Sequence, residues 1–305
     1  MPEELTGLTE LTAQAAGAFR VVAERSAPAE SRSGAGVHAV RTAEGRAAYL
    51  KATPTALGPR ALAAARRELR FYRVLAPLVP LRTPRLLDFL DTAAGVALLL
   101  AAAGEPKAAA SWTDGMWAGL GRDLAALHRT PLPAGDWAGP DPLLDALDAP
   151  DLAGITAFWG AALPGLPGLL DGRAELRERI TALPRGLIHG DCHADNILYT
   201  AGTRTYLDWQ AAGVGRPVAD LAFLSVRATP SGTVVPRALA DAYLTARPCD
   251  RRAFTRALVA EELGVLLFLW PPFAAFHTPE GIARVHRRAR VLGGAYGEAV
   301  GGRGG

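Results

Sequence analysis

The sequence contains little cysteine and few aromatic residues. Of its 305 residues only two are cysteine, Cys192 and Cys249, and aromatic side chains make up 7%. Two cysteines exclude a disulfide framework and a zinc site built from cysteine alone. This usage is typical of a reducing compartment, so we expect a cytoplasmic protein.

Long hydrophobic runs are also missing. The longest apolar stretches, Gly95–Gly104 and Gly264–Phe276, are well short of the roughly 20 residues that a membrane-spanning helix needs. The second of them contains two consecutive prolines. The chain begins with Glu3 and Glu4 rather than with a basic segment, so we expect no signal peptide and no membrane partner.

A strong excess of one charge is absent as well. The 33 basic and 30 acidic residues leave a net charge of +3, so the composition gives no reason to expect nucleic-acid binding. Half of the residues are hydrophobic, which is enough to build a core and excludes a disordered chain. The length predicts two domains or lobes, each with its own core.

Hydrophobic periodicity separates a part with strands from a part dominated by helices. In residues 1–100 it predicts a helix at Leu5–Phe19, a strand near Arg20–Glu24, a hairpin of Val37–Thr42 and Ala47–Ala52, a helix at Gly58–Leu75, and strands at Leu87–Phe89 and Gly95–Leu100. After a hinge at 101–106, residues 107–305 are predicted to form long helices at Ser111–Thr130, Asp141–Leu183, Arg237–Ala246 and Arg251–Phe268. The pattern therefore predicts an α+β fold.

Lysine is rare, since only Lys51 and Lys107 are lysines among the 33 basic residues. Lys51 follows an apolar stretch on a predicted strand, where an ordinary edge-strand lysine is the simplest interpretation. Glu68 lies on the apolar face of the next helix, so its carboxylate needs a cationic partner. Lys51 is the candidate, and the pair matches the strand lysine and helix glutamate that position the phosphates of ATP.

A second polar cluster, His-Gly-Asp-Cys-His-Ala-Asp-Asn at residues 189–196, precedes a predicted hairpin. Two short apolar runs flank a turn centred near Gly202. Asn196 and Asp208 lie symmetrically about that centre, so we expect them to face each other at the open end of the hairpin. Carboxylate and amide oxygens suit Mg²⁺, which takes few protein ligands.

Asp191 precedes Asn196 by five residues, which is the spacing of a kinase catalytic loop. Two other interpretations stay open. A polar turn with a solvated asparagine has the same spacing, and His189, Asp191 and His193 would also suit a transition metal. The combination of this loop with the hairpin and with Leu207-Asp208-Trp209 favours the kinase interpretation.

Together these segments resemble the aminoglycoside phosphotransferase family of the protein-kinase-like superfamily, which includes kinases of choline, macrolides and other small molecules. His189–Leu198 resembles the catalytic loop, Leu207-Asp208-Trp209 the metal-binding aspartate segment, and Gly215–Leu221 the helix that follows. The resemblance runs from about Val21 to Leu224. It implies a bilobal protein-kinase-like fold with a small β-rich N-lobe, 1–100, that binds the nucleotide, a hinge, 101–106, and a larger helical C-lobe, 107–305. The C-lobe would contain the catalytic loop, the metal site and the acceptor-binding helices.

The resemblance implies roles for the matched residues. Asp191 would be the catalytic base and His193 would contact the transferring phosphate. Asn196 and Asp208 would bind Mg²⁺. Lys51 would hold the phosphates of ATP or GTP.

Supporting residues follow from the same resemblance. Glu68 would pair with Lys51, while His189 and Asp220 would support the catalytic loop. An acid in the first turn of a helix opened by Pro217 would equally compensate the helix dipole, so a second interpretation of Asp220 stays open.

Two segments depart from the family pattern. The expected phosphate loop offers only Ser33, Gly34 and Gly36, and the hinge alanines Ala101 and Ala103 leave recognition of the base to backbone groups. The choice between ATP and GTP is therefore open. No Asp-Phe-Gly or Ala-Pro-Glu segment follows Asp208, which argues against the activation segment of a protein kinase.

The resemblance thus implies an enzyme that uses Mg²⁺ to transfer the γ-phosphoryl group of ATP or GTP to a hydroxyl of a small molecule. Its partners would be the nucleotide and the acceptor, without nucleic acid, and the chain would be a monomer or a weak homodimer. A noncatalytic pseudokinase and a kinase of a neutral metabolite, such as a sugar or a macrolide, are the alternatives.

Acidic residues in the second lobe suggest a cationic acceptor, such as an amino sugar or a basic antibiotic, and with it a role in antibiotic resistance or natural-product metabolism. Residues 136–151 contain five aspartates and no basic residue. The candidate acceptor-binding residues are Asp136, Asp141, Glu261, Glu262 and Trp270. Solubility of an exposed connection explains the acidic run equally well, and core packing explains Trp270.

Overall fold

The computed structural model describes residues 2–23, 29–30, 36–132, 134–200 and 202–301, and the chain forms two compact units. The first unit is Met1–Pro106 with Asn196–Ala212, and the second is Lys107–Asp195 with Gly213–Gly305. The chain therefore enters the first unit a second time at Asn196 and leaves it after Ala212.

Helices and strands alternate early and helices dominate later. The strands are β1 (Val22–Ala23), β2 (Ala29–Glu30), β3 (Gly36–Arg41), β4 (Ala47–Pro54), β5 (Leu86–Thr92), β6 (Gly95–Ala101), β7 (Glu105–Pro106), β8 (Gly186–Ile188), β9 (Ile197–Thr200), β10 (Thr203–Tyr206) and β11 (Gly213–Gly215). The α-helices are α1 (Pro2–Ala18), α2 (Gly58–Arg70), α3 (Asp114–Leu127), α4 (Pro142–Asp148), α5 (Leu152–Trp159), α6 (Leu166–Asp171), α7 (Arg173–Ile180), α8 (Pro217–Ala228), α9 (Arg237–Ala246), α10 (Arg251–Gly264) and α11 (Pro279–Gly301). Single π-helical segments extend α2 over Phe71–Leu75 and α10 over Val265–Leu269.

An antiparallel sheet organises the first unit. Its strand order is β1-β3-β4-β6-β5, and β2 also pairs with β3. In β4, Ala48 and Leu50 are buried while Tyr49 is 41% exposed, as expected for alternation about a pleated strand. Because β4 lies between β3 and β6, Lys51 is on a central strand, and the edge-strand interpretation is wrong.

The segment Asn196–Ala212 groups with this sheet unit, although we expected it within the helical lobe. Strands β10, β9 and β7 form a small sheet, and the ring of Trp209 stacks on Phe71. Strand pairing and aromatic packing thus bring Asn196–Ala212 to the first unit.

The second unit is mainly helical. Its core gathers large apolar side chains from α4 to α8, α10 and α11, among them Leu143, Trp159, Ile180, Leu266 and Val285. The short strands β8 and β11 pair antiparallel. The predicted α+β class, with a small antiparallel sheet and a mainly helical remainder, is confirmed.

The prediction of one long helix over Asp141–Leu183 is wrong. The structure has four short helices there, α4 to α7. Asp141 and Asp151 each begin a new helix, because their carboxylates accept the N–H groups of Leu144 and Gly154. Alanine and leucine content alone did not reveal these caps. Of the described helices, none has the length and apolar character that crossing a bilayer requires.

Candidate active site

Lys51 is held between two carboxylates within the sheet unit. Its Nζ lies 2.7 Å from Glu68 Oε2 and 2.7 Å from Asp208 Oδ1. Burial alone would lower the pKa of Lys51, but the charges and hydrogen bonds of Glu68 and Asp208 raise it above its ordinary value. Lys51 therefore stays a cation, and the predicted pair with Glu68 is present.

Glu68 is almost completely buried, with 1% of its surface exposed. Burial raises the pKa of its carboxyl, against the opposing effect of the Lys51 charge. Removing Lys51 would therefore leave a buried carboxylate without its cation, a costly state. The position of the lysine and that of the glutamate depend on each other.

Asp208 has a left-handed backbone, with φ 60° and ψ 64°. Among the described residues, only Arg20 and Asp208 adopt positive φ without being glycine. Such a conformation costs on the order of 1–3 kcal/mol and is kept where the surroundings enforce it. The left-handed aspartate beside the buried lysine makes this position a candidate for a functional site.

The β9–β10 hairpin differs by one residue from its predicted register. Thr203 pairs with Thr200, and Gly202 has φ +80°, the positive φ that tight hairpin turns favour. Asn196 therefore pairs with Leu207, whose N–H donates to the Asn196 carbonyl at 2.9 Å. The predicted direct opposition of Asn196 and Asp208 is wrong. Asp208 follows the last pair, at the point where the backbone turns left-handed.

Helix α2 and its π-helical extension hold the residue after Asp208. The rings of Phe71 and Trp209 stack 4.1 Å apart with an angle of 6° between their planes. Trp209 is fully buried, and its Nε1 donates to the Tyr206 carbonyl at 2.9 Å. Glu68 accepts a hydrogen bond from the backbone of Trp209. The same helix therefore places Glu68 and fixes the chain beside Asp208.

The amide oxygen of Asn196 and the carboxylate of Asp208 are the kinds of oxygen donor that Mg²⁺ takes. This ion takes one or two carboxylates and completes its shell with phosphate and water. Asp208 Oδ1 contacts Lys51, and Gln210 Nε2 lies 3.5 Å from the other oxygen, Oδ2. Within the described ranges no three His, Cys, Asp or Glu side chains group to hold an ion. His189, Asp191 and His193, the residues of the transition-metal interpretation, do not form such a group.

The second unit carries the loop that contains Asp191. Asp220, in the first turn of α8, accepts the N–H groups of His189 at 2.9 Å and Gly190 at 2.8 Å. Its Oδ2 also lies 3.0 Å from His128 Nε2. Burial would raise the pKa of Asp220, but His128 and the loop hydrogen bonds lower it below its ordinary value. The backbone contacts predicted for Asp220 are present.

A buried chain of hydrogen bonds continues behind Asp220. Since an ionised Asp220 can only accept, His128 Nε2 carries the proton. His128 Nδ1 lies 3.0 Å from the hydroxyl of Tyr243, within hydrogen-bond distance. Burial raises the pKa of Tyr243 to about 12, so this hydroxyl keeps its proton. Sequence reasoning missed Tyr243, because nothing in its helical pattern separates it from core residues.

Asp191 is partly exposed and lies near His193 in the loop. Its side chain is 26% exposed, and Asp191 Oδ1 lies 3.8 Å from His193 Nε2. His193 Nδ1 lies 3.5 Å from Asp195 Oδ2. The neighbouring Cys192 is buried, and both burial and the charges of Asp220 and Asp191 raise its pKa. The thiol therefore stays protonated and is a poor nucleophile.

Most of the predicted acceptor-binding acids are engaged in the second unit. Asp141 and Glu261 both pair with Arg216, and Glu262 pairs with Arg288. Asp136 is exposed and accepts the N–H of Ala138 at 3.0 Å.

Trp270, the remaining candidate for acceptor binding, belongs to the core. It is 4% exposed, stacks on His277 and contacts Phe158. The core interpretation therefore describes its surroundings.

The remaining candidates for nucleotide binding are residues of the expected phosphate loop and of the hinge. Ser33 and Gly34 lie outside the described residues. Gly36 begins β3, where a Cβ would come within 2.8 Å of His38 Nε2. The Ala101 N–H donates to the Arg85 carbonyl at 2.9 Å, and the Ala103 carbonyl lies 3.5 Å from Thr200 Oγ1.

Comparisons with known proteins identify the class. A model of the phosphotransferase enzyme family matches residues 30–258, and the chain belongs to this family. No curated protein matches by sequence. The chain is therefore a phosphotransferase, as the sequence predicted.

Solved structures share the fold at low identity. An amicoumacin kinase solved with AMP-PNP and Ca²⁺ has a TM-score of 0.63 at 14% identity, covering 96% of each chain. An aminoglycoside phosphotransferase from Streptomyces rimosus, solved with ADP and streptomycin, has a TM-score of 0.54 at 20% identity and covers 85% of this chain and 98% of its own. A macrolide 2′-phosphotransferase from Brachybacterium faecium has a TM-score of 0.54 at 20% identity and covers 92% and 96%.

Proposed function

We propose that the protein transfers the γ-phosphoryl group of ATP or GTP to a hydroxyl group of an antibiotic or a related small molecule. The observation that carries the proposal is the Lys51 ammonium, 2.7 Å from both the Glu68 and the Asp208 carboxylates. Phosphoryl transfer depends on positioning and charge neutralisation, and a lysine, its glutamate and a metal-binding aspartate must all be in place.

Residues of the sheet unit bind the nucleotide. Lys51 contacts the phosphates, and Glu68 keeps its ammonium in position. Asn196 and Asp208 hold Mg²⁺, which when bound neutralises charge on the phosphates. Because the Ala101 N–H is engaged by Arg85, the backbone of Ala103 is the better candidate for contacts to the base.

Residues of the helical unit act on the acceptor. Asp191 accepts a hydrogen bond from the acceptor hydroxyl and takes up its proton during transfer. His193 contacts the transferring phosphoryl group. Asp220 and His189 keep the loop in shape, since Asp220 accepts two backbone N–H groups next to Asp191.

Two acceptor classes are candidates. A cationic antibiotic or amino sugar is suggested by the acidic run, and a related fold binds streptomycin. A neutral acceptor is favoured by the arginine partners of Asp141, Glu261 and Glu262, because a carboxylate neutralised by arginine attracts a cation only weakly. A macrolide 2′-phosphotransferase is among the related folds.

A phosphorylation assay tests the proposal. The protein is incubated with Mg²⁺, with ATP or GTP, and with each member of a panel of aminoglycosides, macrolides and hydroxylated metabolites. The mass of each acceptor is then measured by mass spectrometry. We expect the mass of one acceptor to increase by one phosphoryl group, and Asp191→Asn to suppress the product. Binding of Mg-nucleotide without any product over the panel would instead support a noncatalytic pseudokinase.

A further inference from the structure

Arg216 is a buried arginine between strand β11 and helix α8. Its side chain is 7% exposed, and Pro217 follows as the first residue of the helix. A cation at a helix N-terminus is electrostatically unfavourable, and a buried guanidinium is costly unless carboxylates surround it. Such an unfavourable position needs a reason other than local helix stability.

Two carboxylates from different helices bind Arg216. Its Nε and Nη2 donate to Glu261 Oε2 and Oε1, each at 2.8 Å, in the two-pronged geometry of strong arginine–carboxylate pairs. Its Nη1 donates to Asp141, which caps α4 through the N–H of Leu144. Arg216 therefore ties the start of α8 to α10 and to α4.

The backbone on both sides of Arg216 supports the catalytic loop. Before it, β11 pairs with β8, the strand that leads directly into His189. After it, the first turn of α8 carries Asp220, which accepts the N–H groups of His189 and Gly190. Arg216 thus lies where the two supports of the loop meet.

Packing leaves these supports little freedom to shift. A Cβ on Gly215, the residue before Arg216, would lie 2.2 Å from Ile188 Cδ1. A Cβ on Gly186, at the other end of β8, would lie 3.0 Å from the His128 carbonyl. In such close packing a displacement of Arg216 passes to the loop instead of being absorbed.

Charge adds a second link between Arg216 and Asp220. Burial raises the pKa of Glu261, the charges of Asp141 and Asp220 raise it further, and Arg216 opposes them. Asp220 is therefore close enough to Glu261 for their carboxylates to interact electrostatically. Without Arg216, buried carboxylates would repel each other around the acid that holds the loop.

We propose that Arg216 is a positioning residue of the catalytic loop: its contacts to Glu261 and Asp141 set the start of α8 and thereby the place of Asp220 and Asp191. The proposal rests on the proposed function, in which Asp191 acts on the acceptor.

A neighbouring ion pair offers a matched control. Arg288 donates to Glu262, the residue after Glu261, at 2.6 and 2.7 Å, and Glu262 is 3% exposed. Glu262 also accepts the hydroxyl of Ser225 at 2.7 Å. This pair anchors α8 five residues after Asp220, so it shares the chemistry but not the link to the loop.

The experiment compares Arg216→Met with Arg288→Met in the full chain. Hydrogen exchange of the backbone amides of His189 and Gly190 is measured in the absence of nucleotide. In a separate assay, kcat and the KM for the nucleotide are measured with the identified acceptor. For Arg216→Met we expect exchange faster by about tenfold, because opening of the loop becomes easier. We also expect kcat to fall by about 10–100-fold, with nucleotide KM nearly unchanged. Arg288→Met lowers Tm but leaves the loop amides and kcat near wild type.

Equal effects of both variants on loop exchange and kcat, at equal loss of Tm, would mean that Arg216 serves stability alone and would overturn the proposal. If Arg216→Met does not fold, Arg216→Lys replaces it, since lysine keeps the charge and loses the two-pronged geometry. For Arg216→Lys we expect the same faster amide exchange and lower kcat, but by smaller factors. If the wild type phosphorylates no acceptor, the proposed function fails, while the exchange comparison still decides the role of Arg216.

Discussion

Lys51 and Lys107 are the two lysines of the chain, and their surroundings differ. Lys51 contacts two carboxylates, while Lys107 is exposed. Lys51→Met removes a preorganised cation that donates hydrogen bonds to the phosphates of the nucleotide. We therefore expect kcat/KM to fall by about 10²-fold or more. Lys107→Met, with the same chemical change, is the control and should retain wild-type kinetics. Similar losses in both variants would contradict the assignment of Lys51.

Asp191 and Asp208 should separate into a role in the chemical step and a role in metal binding. A positioned base contributes about 10²–10⁴-fold to the rate. We therefore expect Asp191→Asn to lower kcat by about this factor while the affinity for Mg-nucleotide, measured by calorimetry, stays the same. Near-normal kcat in this variant would show that Asp191 is not the base.

Asp208→Asn should act on nucleotide binding itself. The change removes charge from the oxygen donors that suit Mg²⁺ and from the partner of Lys51. We expect weaker nucleotide binding at every Mg²⁺ concentration. When nucleotide and Mg²⁺ are both titrated, we also expect binding to need a higher Mg²⁺ concentration than in the wild type. A nucleotide affinity equal to the wild type across the metal titration would remove Asp208 from the metal site.

Helix α2 and its π-helical extension connect two parts of the proposed nucleotide site through Glu68 and Phe71. Aromatic pairs contribute about 0.5–1.5 kcal/mol beyond burial, so Phe71→Leu, which loses the stack on Trp209, should lower the free energy of unfolding by about 1–2 kcal/mol. We also expect weaker Mg-nucleotide binding, because Trp209 follows Asp208. Thermal unfolding and calorimetry measure the two effects.

Phe89→Leu is the control at the scale of elements, since Phe89 is 36% exposed on edge strand β5. It should change both quantities little. A loss of stability in Phe71→Leu without any loss of nucleotide affinity would show that the stack does not position Asp208.

Stability of the whole molecule should depend on pH through Asp220. Its folded-state pKa is lowered, so its contribution is fully present above the unfolded pKa of about 3.9 and is lost as the pH falls through the folded value. We expect the stability difference between wild type and Asp220→Asn to be constant from about pH 7 to pH 5 and to shrink below about pH 4. Denaturant unfolding at several pH values measures it. A difference that grows in acid would contradict the charge state assigned to Asp220.

The sequence by itself determined the family and the α+β class, and it supplied the candidate residues of the catalytic and metal segments, which stay predictions. These signals are local, because they depend on spacing within a loop, alternation along a strand and apolar periodicity around a helix. Lys51 and Glu68 were paired correctly because a carboxylate on the apolar face of a helix needs a cation, and lysine is rare in this chain.

Only the tertiary structure decided which of the candidate acidic side chains pair with arginine. Glu261 and Asp141, proposed to bind a cationic acceptor, lie 45 and 75 residues from Arg216, and their pairing depends on how distant helices pack. The hairpin register was also decided by structure, since shifting the turn centre by half a residue changes the partner of Asn196. Charge patterns along a chain do not show which partner burial will select, because the cost of burying a charge is set in three dimensions.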